Sequence, residues 1–233
     1  MFELEVQFEK GSLDSALAEI FRGEIMVRPS LMSSEEEGLR IGVSRPDEVI
    51  RLVESSAAFL WAPRCSYQIT SVPNGTISVF AWASDFVVID QVFHSLARLD
   101  VLFGFACAED ERKHRNWISR RMKYGVHEGW VGRDFRKYLP GLYWLTVIPR
   151  GMQEALGLHV SHLTQVAEEA LLQGEKNWLL RLYENPLEWE NAATHIDEWC
   201  FNTAGCFSKR AANEALGLST NFIEASQVFA EWR

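Results

Sequence analysis

The chain lacks every residue pattern that would name a chemistry at once. It has four cysteines in 233 residues, Cys65, Cys107, Cys200 and Cys206, and no C-x-x-C pair. Such scattered spacing argues against a zinc ribbon or a dithiol redox motif, and predicts reduced thiols packed as small apolar groups in a cytoplasmic protein. Bases are scarce: 23 Lys and Arg stand against 32 Asp and Glu, a formal charge of −9. A nucleic-acid grip needs clustered cations to displace counterions, so the balance argues against one and suits a basic partner instead. No stretch supplies the ~20 consecutive apolar residues of a membrane span. The longest uncharged stretch, "SYQITSVPNGTISVFAWAS", is broken by Pro73, Asn74 and Gly75. The opening "MFELEVQFEK" has neither the basic head nor the apolar run of a secretory signal.

Signatures of common catalytic sites are missing as well. HExxH, GxSxG and GxxxxGKS/T do not occur, and Gly125, Gly129, Gly132 and Gly141 are spread too widely to cradle a phosphate. What is present is a mixture of two periodicities. "FELEVQF" alternates like a strand, and Leu13, Ala16, Leu17, Ile20 and Phe21 form a helical stripe from a Ser12 cap to Gly23. "GLRIGVS" reads as a strand after the acidic loop "SSEEEG", and Ser44, Pro46 and Asp47 open a helix. "SYQIT" and "TISVFAWA" flank the turn "VPNG" as a hairpin, Ser84 caps a helix, and "VLFGFACA" is a buried strand.

Beyond residue 108, "EDERKHRNWISRRMKYG" carries acids in its first turn, bases in its last, and a terminal glycine. That predicts one surface helix with most of its girth in water. "LYWLTVI" and "NWLLRLY" predict central strands covered on both faces, Ser161 a helix running to Gly174, and the remainder helices. The expectation is one α+β domain over residues 1–233, with a mixed or antiparallel sheet of apolar strands flanked by helices.

Candidate chemistry is sparse. Glu111 and His114 make one E-x-x-H pair, but a carboxylate-bridged di-metal centre needs two. His159 and His162 lack an acidic partner at a fixed offset, so no metal or other cofactor is expected. Cys107 with His114 would be a nucleophile–base couple, but an apolar strand disfavours the thiolate. Nine tryptophans are many for this length; Trp82, Trp144, Trp178 and Trp232 fall on predicted core faces, while Trp130, between glycines, is the one expected to reach a partner. The runs Glu35–Glu37 and Glu109–Glu111 are candidate docking patches, and Arg133 and Asp134 shape the loop behind Trp130.

Read in order, "FACAEDERKHRNWISRR", "HEGWVGRDFRKYLPGLYWLT" and "LLRLYENPLEW" resemble the immunity protein 52 family of bacterial polymorphic toxin systems, over roughly residues 100–190. The residues that carry the likeness are Glu111, His114, Arg115, Asn116, Trp130, Gly132, Arg133, Asp134, Pro140, Gly141, Tyr143 and Trp144. The resemblance implies an α+β protein without catalytic residues. It would neutralise the toxin encoded beside it, often a restriction-endonuclease-like nuclease delivered by type VI secretion. The expected partner is therefore a basic DNase, met through Glu109, Asp110, Glu111, Arg115, Trp130, Arg133 and Asp134. The rival readings are a small metal-dependent hydrolase built on Glu111, His114 and Asp134, and a scaffold recognised through its aromatic surface.

Overall fold

Alternation in "FELEVQFE" builds β1 (Phe2–Glu9), which turns the fully buried Leu4, Val6 and Phe8 to one side. The structure, a computed structural model, describes residues 1–72, 75–123, 125–174 and 176–232. The apolar stripe of α1 (Leu13–Arg22) buries Leu13, Ala16, Leu17 and Ile20; Ser12 precedes the helix, but its side chain makes no capping bond. β2 (Leu31–Ser33) and β3 (Ile41–Gly42) enclose the exposed Glu35–Glu37 run. α2 (Pro46–Ser55) starts on its proline, and the Glu48 carboxylate accepts from the N–H groups of Ser44 and Arg45 at 3.0 and 3.2 Å.

β4 (Ala57–Trp61), not anticipated from its short apolar run, pairs with the expected hairpin of β5 (Ser66–Val72) and β6 (Thr76–Ala83). The predicted turn at Pro73 and Asn74 lies outside the described residues, but Val72 opposes Thr76 and Gly75 takes φ +86°. α3 (Phe86–Ala97) is capped by Asp85 rather than Ser84: the Asp85 carboxylate accepts from Val87 N–H at 2.9 Å. β7 (Val101–Ala108) follows as predicted.

Two predicted helices are corrected. The segment read as one helix from residue 109 to 125 is helical only in α4 (Glu109–Asn116); β8 (Trp117–Met122) and β9 (Gly125–Trp130) then form a hairpin. Nor is α4 wet on most sides, because Glu111, Arg115 and Asn116 are buried by charge pairing and hydrogen bonding. Next come β10 (Leu145–Pro149), α5 (Arg150–Leu156) and α6 (Val160–Val166). The helix predicted from Ser161 to Gly174 stops at Val166, and "EALLQ" is β11 (Glu169–Gln173), paired to β12 (Asn177–Arg181). Good helix formers yield there to a strand partner, and Gly174, at φ +56°, serves the turn rather than a helix end. α7 (Trp189–Asn202), α8 (Lys209–Leu218) and α9 (Phe222–Glu231) complete the chain.

The strands make a ten-stranded antiparallel sheet in the order β11-β12-β10-β7-β1-β6-β5-β4-β2-β3, with β8-β9 apart. One α+β domain results. α3 packs on β1, β6 and β7, and α2 on β4 and β5. Their core includes Leu4, Val6, Phe8, Ile69 and Val79, each contributing ~1.5–3 kcal/mol by leaving water. Of the tryptophans assigned to the core, Trp144 is buried, while Trp82, Trp178 and Trp232 are half-buried.

The opposite face of β1 presents Glu3, Glu5 and Gln7. Glu5 sits between Phe80 of β6 and Phe105 of β7 in register. A second apolar cluster, with Ile118, Val131, Phe207, Leu216 and Phe229, ties the β8-β9 hairpin to α8 and α9 beside that face. A sheet face with polar residues at its centre thus acquires a wall.

Candidate functional site

Between the polar sheet face and the β8-β9 hairpin lies a cleft of about 970 Å³. At its floor is Arg112, which no local pattern singles out. Its guanidinium donates to Glu3 Oε1 at 3.0 Å and Glu5 Oε2 at 3.1 Å. The same group lies 5.4, 5.4 and 5.1 Å from the ring centroids of Phe80, Phe105 and Trp130. α4 delivers Arg112 to this point because its first residues continue directly from β7, neighbour of β1. Burial pushes the Glu3 carboxyl up, against the opposing pull of Arg112, and the exposed Glu109 adds to the rise. Burial also works against the Arg112 charge, but Glu5 and Glu3 outweigh it and hold its pKa above the usual value. Two acids on one base leave the floor acidic in formal charge.

The rim is mixed. Trp130 is half-buried and meets Trp117 edge-on at 5.2 Å between centroids. Arg133 is half-exposed, 3.7 Å from the same Glu5 oxygen that Arg112 holds. Asp134 also lines the cleft, and its carboxylate accepts from Arg136 N–H at 3.2 Å, the part of the expected loop bracing that falls to Asp134, while Arg133 turns to Glu5.

Asn116 holds this wall in place. Its amide donates to the carbonyls of Val131, Gly132 and Pro140 at 3.0, 3.3 and 3.4 Å, and its Oδ1 accepts from the Tyr143 hydroxyl. Gly132 has φ +70°, and a Cβ there would lie 2.4 Å from the Phe207 ring, so only glycine fits. The asparagine of "HRN" and the glycine of "WVGRD" are thus explained by construction of the wall.

Other predicted site residues lie elsewhere. Glu111 and Arg115, at 0% and 4% exposure, are enclosed as an ion pair at 2.9 Å and present no outer surface for a partner. Burial raises the Glu111 carboxyl, opposed first by Arg115. Arg115 also donates to Asp197 at 3.0 Å, and His114 meets the other Asp197 oxygen at 2.7 Å. Glu109 and Asp110 are exposed on the first turn of α4. Glu111, His114 and Asp134 are not gathered: Asp134 lines the cleft, His114 borders a neighbouring cavity and Glu111 is enclosed. Among the described residues no group of three or more His, Cys, Asp or Glu could hold a metal ion. Burial pushes the Cys107 thiol well up, so a nucleophilic thiolate is disfavoured there.

No family model, curated protein or solved structure matches this chain. Among the described residues no helix is long and apolar enough to cross a membrane. The arrangement is a preformed groove with aromatic walls, paired charges on its floor and one half-exposed arginine at its lip. Chemically it can receive a polypeptide segment or an aromatic–cationic side chain.

Proposed function

We propose that this chain is a cytoplasmic immunity protein that binds and neutralises a cognate nuclease toxin by contact alone. The toxin is of the restriction-endonuclease-like kind carried by type VI secretion effectors. The ordered motifs between residues 100 and 190 support the family, and the formal charge of −9 supports a basic partner. The observation that carries the reading is the cleft. Trp130 and Arg133 combine area, rigidity and directed charge at its lip, the residue types enriched where interfaces concentrate their energy. Exposed Glu109 and Asp110 ride on the helix that supplies Arg112, so negative charge flanks the groove.

A nuclease that grips DNA must present a basic surface. An interface of ~1,600 Å² centred on the cleft would cover it. Attraction would bring the pair together at up to ~10⁸ per molar per second in low salt. Such speed suits a protein that must meet its toxin before the toxin meets DNA.

The test is co-expression with the product of the adjacent reading frame, co-purification, and a nuclease assay with and without this chain. Protection that survives simultaneous change of Glu109, Asp110, Trp130 and Arg133 would place the contact elsewhere. An active nuclease in the presence of stoichiometric wild-type chain would end the reading.

A further inference from the structure

The ten-stranded sheet ends differently at its two edges. On one side β3 is two residues long, too short to offer a ladder. On the other, β11 runs for five residues with no proline, lysine or arginine. Edges of this length are normally blunted by charge or proline, because their free N–H and C=O groups invite another strand. Two leucines stand on this one instead, Leu171 at 44% and Leu172 at 51% exposure, one on each face of the sheet. No described residue of β11 or β12 lines the aromatic cleft.

The ladder fixes which groups of β11 point outward. Arg150 N–H donates to the Lys176 carbonyl at 2.8 Å and Leu182 N–H to the Trp144 carbonyl at 2.9 Å. Alternate residues along this chain, Trp178 and Leu180 among them, therefore bond to β10. Asn177, Leu179 and Arg181 bond in turn to Gln173, Leu171 and Glu169 of β11. Ala170 and Leu172 are left to point their N–H and C=O groups away from the sheet, where they meet no backbone partner among the described residues.

Side chains then select the partner. Antiparallel pairing of β11 with a copy of itself, about a two-fold axis at Leu171, sets Ala170 opposite Leu172 of the second copy. That matches the outward groups in both directions. Leu171 meets its own counterpart, and Glu169 meets Gln173, so no like charges face each other. A slip of two residues either way, the smallest that keeps the outward groups paired, would set Leu171 against Glu169 or Gln173. The Glu169 charge is balanced within its own chain by Arg181 at 3.5 Å.

We propose that this edge joins two copies of the chain into a dimer whose sheet runs on through β11. So short a strand pair falls below the ~1,200 Å² of a stable interface, so the dimer dissociates on dilution. The inference does not rest on the reading of the aromatic cleft.

Sedimentation equilibrium of the full chain, from about 1 μM to about 1 mM, tests it. The weight-average mass rises from 26.7 kDa toward twice that value. Leu171→Lys, which places two ammonium groups at the axis, weakens association about tenfold or more. Leu172→Pro removes an outward N–H, spares the bonds to β12, and weakens association as well. Ile223→Lys, at an exposed site on α9, leaves it unchanged. Circular dichroism melts check that each variant folds, and Leu172→Pro decides should Leu171→Lys not. A wild-type mass of 26.7 kDa at every concentration overturns the proposal. Loss of toxin binding in Leu171→Lys would then assign the edge to a strand of the toxin. A dimer that survives Leu171→Lys lies on another surface and overturns the proposal too.

Discussion

The Tyr143 hydroxyl donates to Asn116 Oδ1 at 2.5 Å, joining the last residue of α4 to the segment that enters β10. Both residues are buried, and the Asn116 amide also serves three carbonyls of the cleft wall. Removing the asparagine leaves several buried polar groups without partners, which costs more than the bonds themselves are worth. Asn116→Ala should lose roughly 2–3 kcal/mol of stability and Tyr143→Phe about 1 kcal/mol. Urea unfolding measures both, and a loss below about 0.5 kcal/mol for Asn116→Ala would remove its structural role.

Gly132 offers a second, steric test. With φ +70° and the Phe207 ring where a Cβ would stand, Gly132→Ala is strained and overpacked together. A loss of roughly 2–4 kcal/mol is expected. Gly151, in α5, has nothing within 4 Å of its virtual Cβ, so Gly151→Ala should gain roughly 0.5 kcal/mol by helix propensity. Equal melting-temperature shifts in the two variants would contradict the packing of this loop on Phe207.

Burial raises the Glu111 carboxyl above its ordinary value of 4.5, so in the window from there up to its raised pKa the folded state holds more protons than the unfolded one. Stability contributed by this group therefore falls as pH rises through that window. The stability of the wild type minus that of Glu111→Gln should decline with pH on that limb, as followed by denaturant unfolding at closely spaced pH values. A difference that rises with pH would mean that Arg115 outweighs burial there.

Partner binding gives the fourth prediction, resting on the proposed function. Trp130→Ala should weaken the complex by about 2 kcal/mol or more, mainly through faster dissociation. Charge-reversing Glu109 and Asp110 should instead slow association and flatten its salt dependence. Surface plasmon resonance at several ionic strengths separates the effects, and a salt-independent association rate would refute the steering argument.

Most strands and helices could be read from local pattern. β1, β5, β6, β7 and β10 announce themselves by alternation or continuous apolar runs, and α1, α2, α3 and α9 by helical stripes. Two misreadings share a cause. "WISRRM" and "EALLQ" carry no decisive period, and each became a strand because a partner strand lay beside it. In the candidate site, Trp130, Arg133 and Asp134 were legible as a loop near an aromatic. Arg112 was not, since its partners Glu3 and Glu5 are more than a hundred residues away. Glu111 and Arg115 looked exposed because charged residues usually are; their mutual pairing, with Asp197 as a second acceptor for Arg115, lets both be enclosed.

Composition alone set the sign of the protein's charge and ruled out a long apolar span, and local periodicity set most of the secondary structure, because these depend on residues adjacent in the chain. Which face of the sheet received Glu3, Glu5 and Arg112, and which charges were enclosed rather than displayed, was decided only when distant segments came together. The fate of a charge depends on the groups around it in space, and sequence order does not specify those.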